Sequence, residues 1–249
     1  MNKVLRDGKA NVLLNPLINR RGRNIFKAFT LAEVLITLGI IGVVAAITLP
    51  NLMTAYKART LRSQFLKSYS IIQQAAKQME TDDITLDPTY YTRTSTLTAF
   101  WYVFEQNFRG TTRCWNNKDA PCFNSSKYSY KTLNKKSTFP NWYLDDGQFA
   151  LPDGTLFMFE NSSGNSGVVF VCVDINGVKS QPNVAGVDLF LFQVFEDGIK
   201  PMGEEGTAYV GEEFCDINSS SADWRNGMSC TNKAKNDPDY FKRVTKSIK

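Results

Sequence analysis

The chain of 249 residues contains no histidine. The commonest general base and the commonest metal ligand are therefore missing. It also lacks any Cys-x-x-Cys spacing, so a structural zinc site is not expected. No Gly-x-Ser-x-Gly elbow and no glycine-rich phosphate loop occurs. The acidic pairs Asp145-Asp146, Glu204-Glu205 and Glu212-Glu213 fall in no hydrolase pattern and read as solvated turns. The chain reads as non-enzymatic. Charge is also missing where the chain is most apolar. From Phe29 to Leu49, Glu33 is the only charged residue.

That run is what the sequence is richest in. At ~1.5 Å per residue it spans roughly 31 Å as a helix, about the hydrocarbon thickness of a bilayer. A basic segment precedes it and Pro50 closes it. A carboxylate at the centre of such a helix costs about 2.5–3.5 kcal/mol on insertion scales and less near an end. Glu33 is therefore a functional candidate that needs a named partner.

Ala28-Phe29-Thr30-Leu31-Ala32-Glu33-Val34-Leu35-Ile36 resembles the processing site of type IV prepilins and type II secretion pseudopilins. The resemblance implies cleavage between Ala28 and Phe29 by a prepilin peptidase, then methylation of the new amino terminus. Ala28 stands where that family usually has Gly. The resemblance also implies partners: other pilin or pseudopilin subunits and an inner-membrane assembly machinery. It implies an α+β, type IV pilin-like fold, a long N-terminal helix packed on a small antiparallel sheet. Glu33 would pair with the Phe29 amine of a neighbouring subunit, which turns its cost in the membrane into a driving force for assembly. Pro50 is the proline that commonly ends the apolar run in that family.

The expected division is a basic leader over 1–28, a long helix over 29–80 with its transmembrane part at 29–49, and a head over 81–249. The net charge of +5 belongs to the leader. Residues 1–28 carry seven Lys/Arg against one Asp, leaving the remainder at −1. The basic pI is thus no argument for nucleic-acid binding. Seven cations before the run, against Lys57, Arg59, Arg62 and Lys67 after it, favour a cytoplasmic N-terminus in a bacterial inner membrane. Disulfides are permitted in an outward-facing head. Of five cysteines, Cys114 with Cys122 and Cys215 with Cys230 are the expected pairs, each flanking a short polar segment. Cys172 lies in an apolar strand and reads as a small buried hydrophobe.

Beyond Pro50, Leu52, Tyr56, Phe65, Tyr69, Ile72, Ala76 and Met79 predict one apolar face. A kink or local melting is expected at Pro50, whose nitrogen cannot donate. A second short helix is expected over 96–108, then a polar loop over 110–140. Asp153-Gly154 predicts a hairpin between 147–151 and 155–159. Strands are expected at 168–173 and 189–195, with a turn at Asp197-Gly198.

Asp174, Asn176 and Asp188 are oxygen ligands around a turn at Gly177, a set that calcium would accept. The competing reading is a turn network in which the same side chains cap backbone N–H groups. Arg109, Arg113, Trp115, Lys127, Lys131, Lys135, Lys136, Trp142 and Tyr143 supply material for an aromatic-basic nucleic-acid patch, against a plain solvated loop. Three functional readings stand: a structural filament subunit, a tip or minor subunit acting as adhesin or DNA-binding module, and an unprocessed single-pass surface protein.

Overall fold

A computed structural model describes residues 29–91, 99–114, 121–161 and 167–247. The leader and Ala28 lie outside the described residues, as do Trp115 and residues 96–98 of the second expected helix. The chain divides between Ile47 and Thr48 into two units.

Helix α1 runs from Leu31 to Thr81. In the first unit its side chains are exposed on every side, from Leu31 at 77% to Ile41 at 63%. A helix that is apolar all round and covered by none of the described residues is made for an apolar solvent. In the second unit the helix passes Pro50 without melting, and Thr54 Oγ1 donates to the Pro50 carbonyl at 2.9 Å. Burial starts later than the pattern predicts. Leu52 and Tyr56 are exposed, and the buried stripe is Ala58, Leu61, Phe65, Ser68, Ile72, Ala75, Ala76 and Met79. Those steps of three and four lay one face on the sheet. Phe65 sits at the centre, 4.6 Å from the Phe190 ring and 5.7 Å from the Phe241 ring. Truncating such a ring costs roughly 3–5 kcal/mol.

Two short helices follow, α2 (Pro88–Tyr91) and α3 (Phe100–Glu105), the latter shorter than expected. The sheet has six antiparallel strands in chain order: β1 (Thr112–Arg113), β2 (Gln148–Ala150), β3 (Leu156–Asn161), β4 (Val169–Asp174), β5 (Leu189–Phe195) and β6 (Gly198–Pro201). The hairpin between β2 and β3 turns at Gly154, whose φ of +93° favours glycine. Alternation splits the strand residues between two cores. Phe157, Phe159, Val171, Val173, Phe190 and Phe192 join the cluster that holds the α1 stripe. Met158, Phe170, Cys172 and Leu191 join a second cluster with Tyr130, Phe139 and Met228. Both faces of the sheet are thus covered, which is why these strands read as continuous apolar runs. Helices α4 (Cys230–Asn236) and α5 (Tyr240–Ser247) complete the described elements. The architecture is α+β and pilin-like: a long apolar N-terminal helix followed by an antiparallel sheet.

Candidate functional site

Thr30 precedes the first helical residue, and the chain from Thr30 to Glu33 has the Thr-x-x-Glu spacing of a capping box. The geometry is reciprocal. Glu33 N–H donates to Thr30 Oγ1 at 3.2 Å, while Thr30 N–H and Oγ1 both donate to Glu33 Oε2 at 2.8 Å. The carboxylate also sits at the helix N-terminus, where the dipole favours negative charge. Glu33 is therefore not bare within its own subunit, and one oxygen is satisfied by Thr30. Its Oε1 has no partner among the described residues. Phe29 is 85% exposed beside it. The capping box is a role of Glu33 that the apolar run obscured, although its spacing was in the sequence.

The residues proposed for calcium do come together. Asp174 ends β4, Gly177 follows with φ of +82°, and Asp188 precedes β5. Asp174 and Asp188 are both fully buried. Asp174 Oδ1 accepts from Asn176 N (3.1 Å) and Gly177 N (2.8 Å), and its Oδ2 from Tyr130 Oη (2.6 Å). Asp188 Oδ2 accepts from Asn183 N (2.8 Å) and Oδ1 from Val184 N (2.7 Å). Three of the four carboxylate oxygens are thus occupied by backbone donors of the turn, and the fourth by the Tyr130 hydroxyl. Asn176 Oδ1 and Asn183 Oδ1 are buried without a protein partner. Calcium takes six to eight oxygens, so these side chains would have to give up their turn donors or be joined by backbone carbonyls to hold it. Burial raises the pKa of both carboxyls, and the charge of Asp174 pushes that of Asp188 up further. At the other end of the β3–β4 pair, carboxylate oxygens of Asp145, Asp146 and Glu160 lie within 4.8 Å of one another. Burial, then the charges of Asp146 and Asp145, raise the Glu160 carboxyl to about 7.

The expected aromatic-basic patch is not one surface. Arg113 is committed to Glu105, donating from Nε (3.0 Å) and Nη2 (2.6 Å) to one carboxylate oxygen, and lies over the Tyr102 ring. Lys131 Nζ donates to Thr138 Oγ1 at 3.0 Å. Tyr143 is buried, and its hydroxyl meets that of Tyr209 at 2.5 Å. Trp142 is 58% exposed and packs edge-on to Trp224, a residue far along the chain, at 5.9 Å. That aromatic pairing has no signature in sequence.

The cysteines pair as expected. Cys114 bonds Cys122, Cys215 bonds Cys230, and Cys172 is free and buried with its thiol donating to the Tyr143 carbonyl.

Residues 23–49 match the family model described as the prokaryotic N-terminal methylation motif, the type IV prepilin-like signature. No curated protein and no solved structure matches the chain. The chain thus carries a pilin-type precursor signature on a helix long and apolar enough to cross a membrane.

Proposed function

We propose that this chain is a structural subunit (pilin, minor pilin or pseudopilin) of a type IV pilus or type II secretion-like filament. A prepilin peptidase cuts between Ala28 and Phe29, and the helix then assembles with those of other subunits. The carrying observation is the methylation motif over 23–49, with Glu33 held at the very start of an uncovered apolar helix. In this reading Glu33 Oε2 stays with Thr30 and Oε1 faces the Phe29 amine of a neighbour. The N-terminus is cytoplasmic and the head lies outside the inner membrane before assembly. N-terminal sequencing of the mature protein tests processing: a methylated Phe29 supports it, and an intact Met1 rejects it in favour of an unprocessed anchor. Glu33→Ala, which inserts but assembles poorly, tests the pairing. Normal incorporation of that variant into filaments sinks it.

A second reading makes the subunit a tip adhesin. It is favoured by the exposed Trp142, which packs on Trp224, itself against Tyr209. Nucleic acid fits this surface less well, because Arg113 is tied to Glu105 and Arg225 to Asp223.

A further inference from the structure

The cations that follow the apolar run have no role in the reading so far, and they oppose the orientation that the leader favours. Their placement in the second unit gives them one. Two cavities that share Thr54 lie where the start of this unit's helix meets the head. The first, of about 760 Å³, is lined by Arg59 and Arg62 of α1 and by Lys242 and Lys246 of α5. The second, of about 1000 Å³, is lined by Leu52, Met53, Tyr56 and Lys57. Asp239 is the one carboxylate among the described lining residues of both. It lies 3.9 Å from Lys242, with both side chains about two-thirds exposed. Lys57, Arg59 and Lys246 make no ion pair among the described residues. Helix α5 explains why the cations gather there. It buries Tyr240, Phe241 and Val244 and leaves Lys242 and Lys246 outward.

Between the end of the apolar run at Leu49 and these cations lie Leu52, Met53 and Tyr56, exposed at 66, 70 and 72%. The head covers none of them. Apolar side chains and a tyrosine just beyond a hydrocarbon-length run match the membrane–water interface. Along the helix, Lys57 to Arg62 lie ~11–18 Å beyond Pro50 at ~1.5 Å per residue. The headgroup zone is about 5–8 Å thick on each side, and a surface potential reaches a further ~8 Å at physiological ionic strength.

We infer that Lys57, Arg59, Lys242 and Lys246 form a basic collar that seats the membrane-proximal end of the head on anionic phospholipid headgroups, with Leu52, Met53 and Tyr56 at the interface below. The partner is a lipid surface, because cations outnumber the one carboxylate, Asp239, beside uncovered apolar residues. The inference rests on the reading of residues 29–49 as a membrane span. The collar holds a stored subunit upright at the membrane, and leaving the lipid for a filament breaks those contacts.

The test uses the full chain in vesicles of zwitterionic lipid alone and in vesicles with one third phosphatidylglycerol. Insertion is scored by resistance to alkaline extraction. Seating is scored by hydrogen exchange of the α5 amides. Anionic lipid is expected to slow exchange over Tyr240–Ser247 roughly tenfold. The effect disappears at 1 M salt, where the Debye length falls to ~3 Å, and in the variant K57Q/R59Q/K242Q/K246Q, whose thermal midpoint matches wild type. Inorganic phosphate added to zwitterionic vesicles does not reproduce it. Equal exchange in both lipids with insertion intact overturns the collar alone. Failure to insert overturns the membrane reading and the collar with it. Protection that rises with protein density in zwitterionic vesicles assigns the face to a second copy and also overturns the collar.

Discussion

Thr30 Oγ1 stands between the main-chain nitrogen and the carboxylate of Glu33, accepting from one and donating to the other. Glu33 therefore serves the subunit as a cap in addition to any service it gives a neighbour, and the two roles separate by substitution. Gln at the third helical position also closes a capping box. Glu33→Gln is expected to keep the helix start ordered but to assemble as poorly as Glu33→Ala. Thr30→Val is expected to cost about 1 kcal/mol at the helix end and to leave filament yield largely intact. Immunoblots of sheared filaments beside hydrogen exchange over 31–36 check both. Wild-type assembly of Glu33→Gln would show that the cap, not the charge, is what position 33 supplies.

Glu105 is buried and owes its charge balance to Arg113, with Thr111 as a second donor. Exposed ion pairs contribute little, but removing the partner of a buried charge leaves it uncompensated. Arg113→Ala is expected to destabilise the head by roughly 3 kcal/mol. Glu105→Met/Arg113→Met is expected to recover most of that. Urea unfolding of the detergent-solubilised chain measures it. A loss below ~1 kcal/mol for Arg113→Ala would place the pair with ordinary surface bridges.

The Asp174–Asp188 pair predicts how stability follows pH. Folding raises the carboxyl pKa of both by burial, and that of Asp188 further because Asp174 lies beside it. The folded state thus binds more protons than the unfolded one above the ordinary carboxylate range near pH 4. Stability from this pair is full below that range and is lost as pH rises through the folded values. The thermal midpoint is expected to fall from pH 5 towards pH 8, with a shallower slope in Asp188→Asn. A slope unchanged by that variant would remove the pair as its source.

The same loop decides the calcium question. If a proton and the backbone donors satisfy the turn, millimolar calcium leaves the thermal midpoint where it was. A rise that a chelator reverses would instead assign Asp174, Asn176 and Asp188 to the ion.

The bond between Cys215 and Cys230 ties a short 3₁₀ turn at Glu212–Cys215 to the start of α4. Closing a loop of 15 residues stabilises by about 3 kcal/mol in the chain-entropy account. Cys215→Ala/Cys230→Ala is expected to lose about that much in denaturant unfolding. Alkylation of the unreduced, unfolded chain is expected to find one thiol, Cys172, and none while the chain is folded.

Much of this was legible from residues alone. The apolar run follows from its length, the Asp-Gly hairpin from turn chemistry, the central strands from their continuous apolar runs, and both disulfides from cysteines that flank short polar segments. The misses share a cause. Leu52 and Tyr56 are apolar, so periodicity placed them on the buried face, but burial needs a covering element, and the head starts at Ala58. Ser68 is polar, so an apolar periodicity does not include it, yet its small side chain fits the stripe between Phe65 and Ile72. Strand β6 carries a single buried aliphatic, Ile199, too little for alternation to register. Helix α5 was signalled by Tyr240, Phe241 and Val244, but the polar residues around them masked it. Trp142 meets Trp224 only because the fold returns there, and no local pattern encodes that.

Strand order here equals chain order, and every strand pairs with the one made just before it. Such a sheet can be laid down ribbon by ribbon as the polypeptide emerges, because no strand waits for a distant partner. The hydrophobic face left over by that process is closed by Phe241, which comes to rest against Phe65 and Phe190. A chain that stops before α5 leaves Phe65 and Phe190 without the ring that covers them.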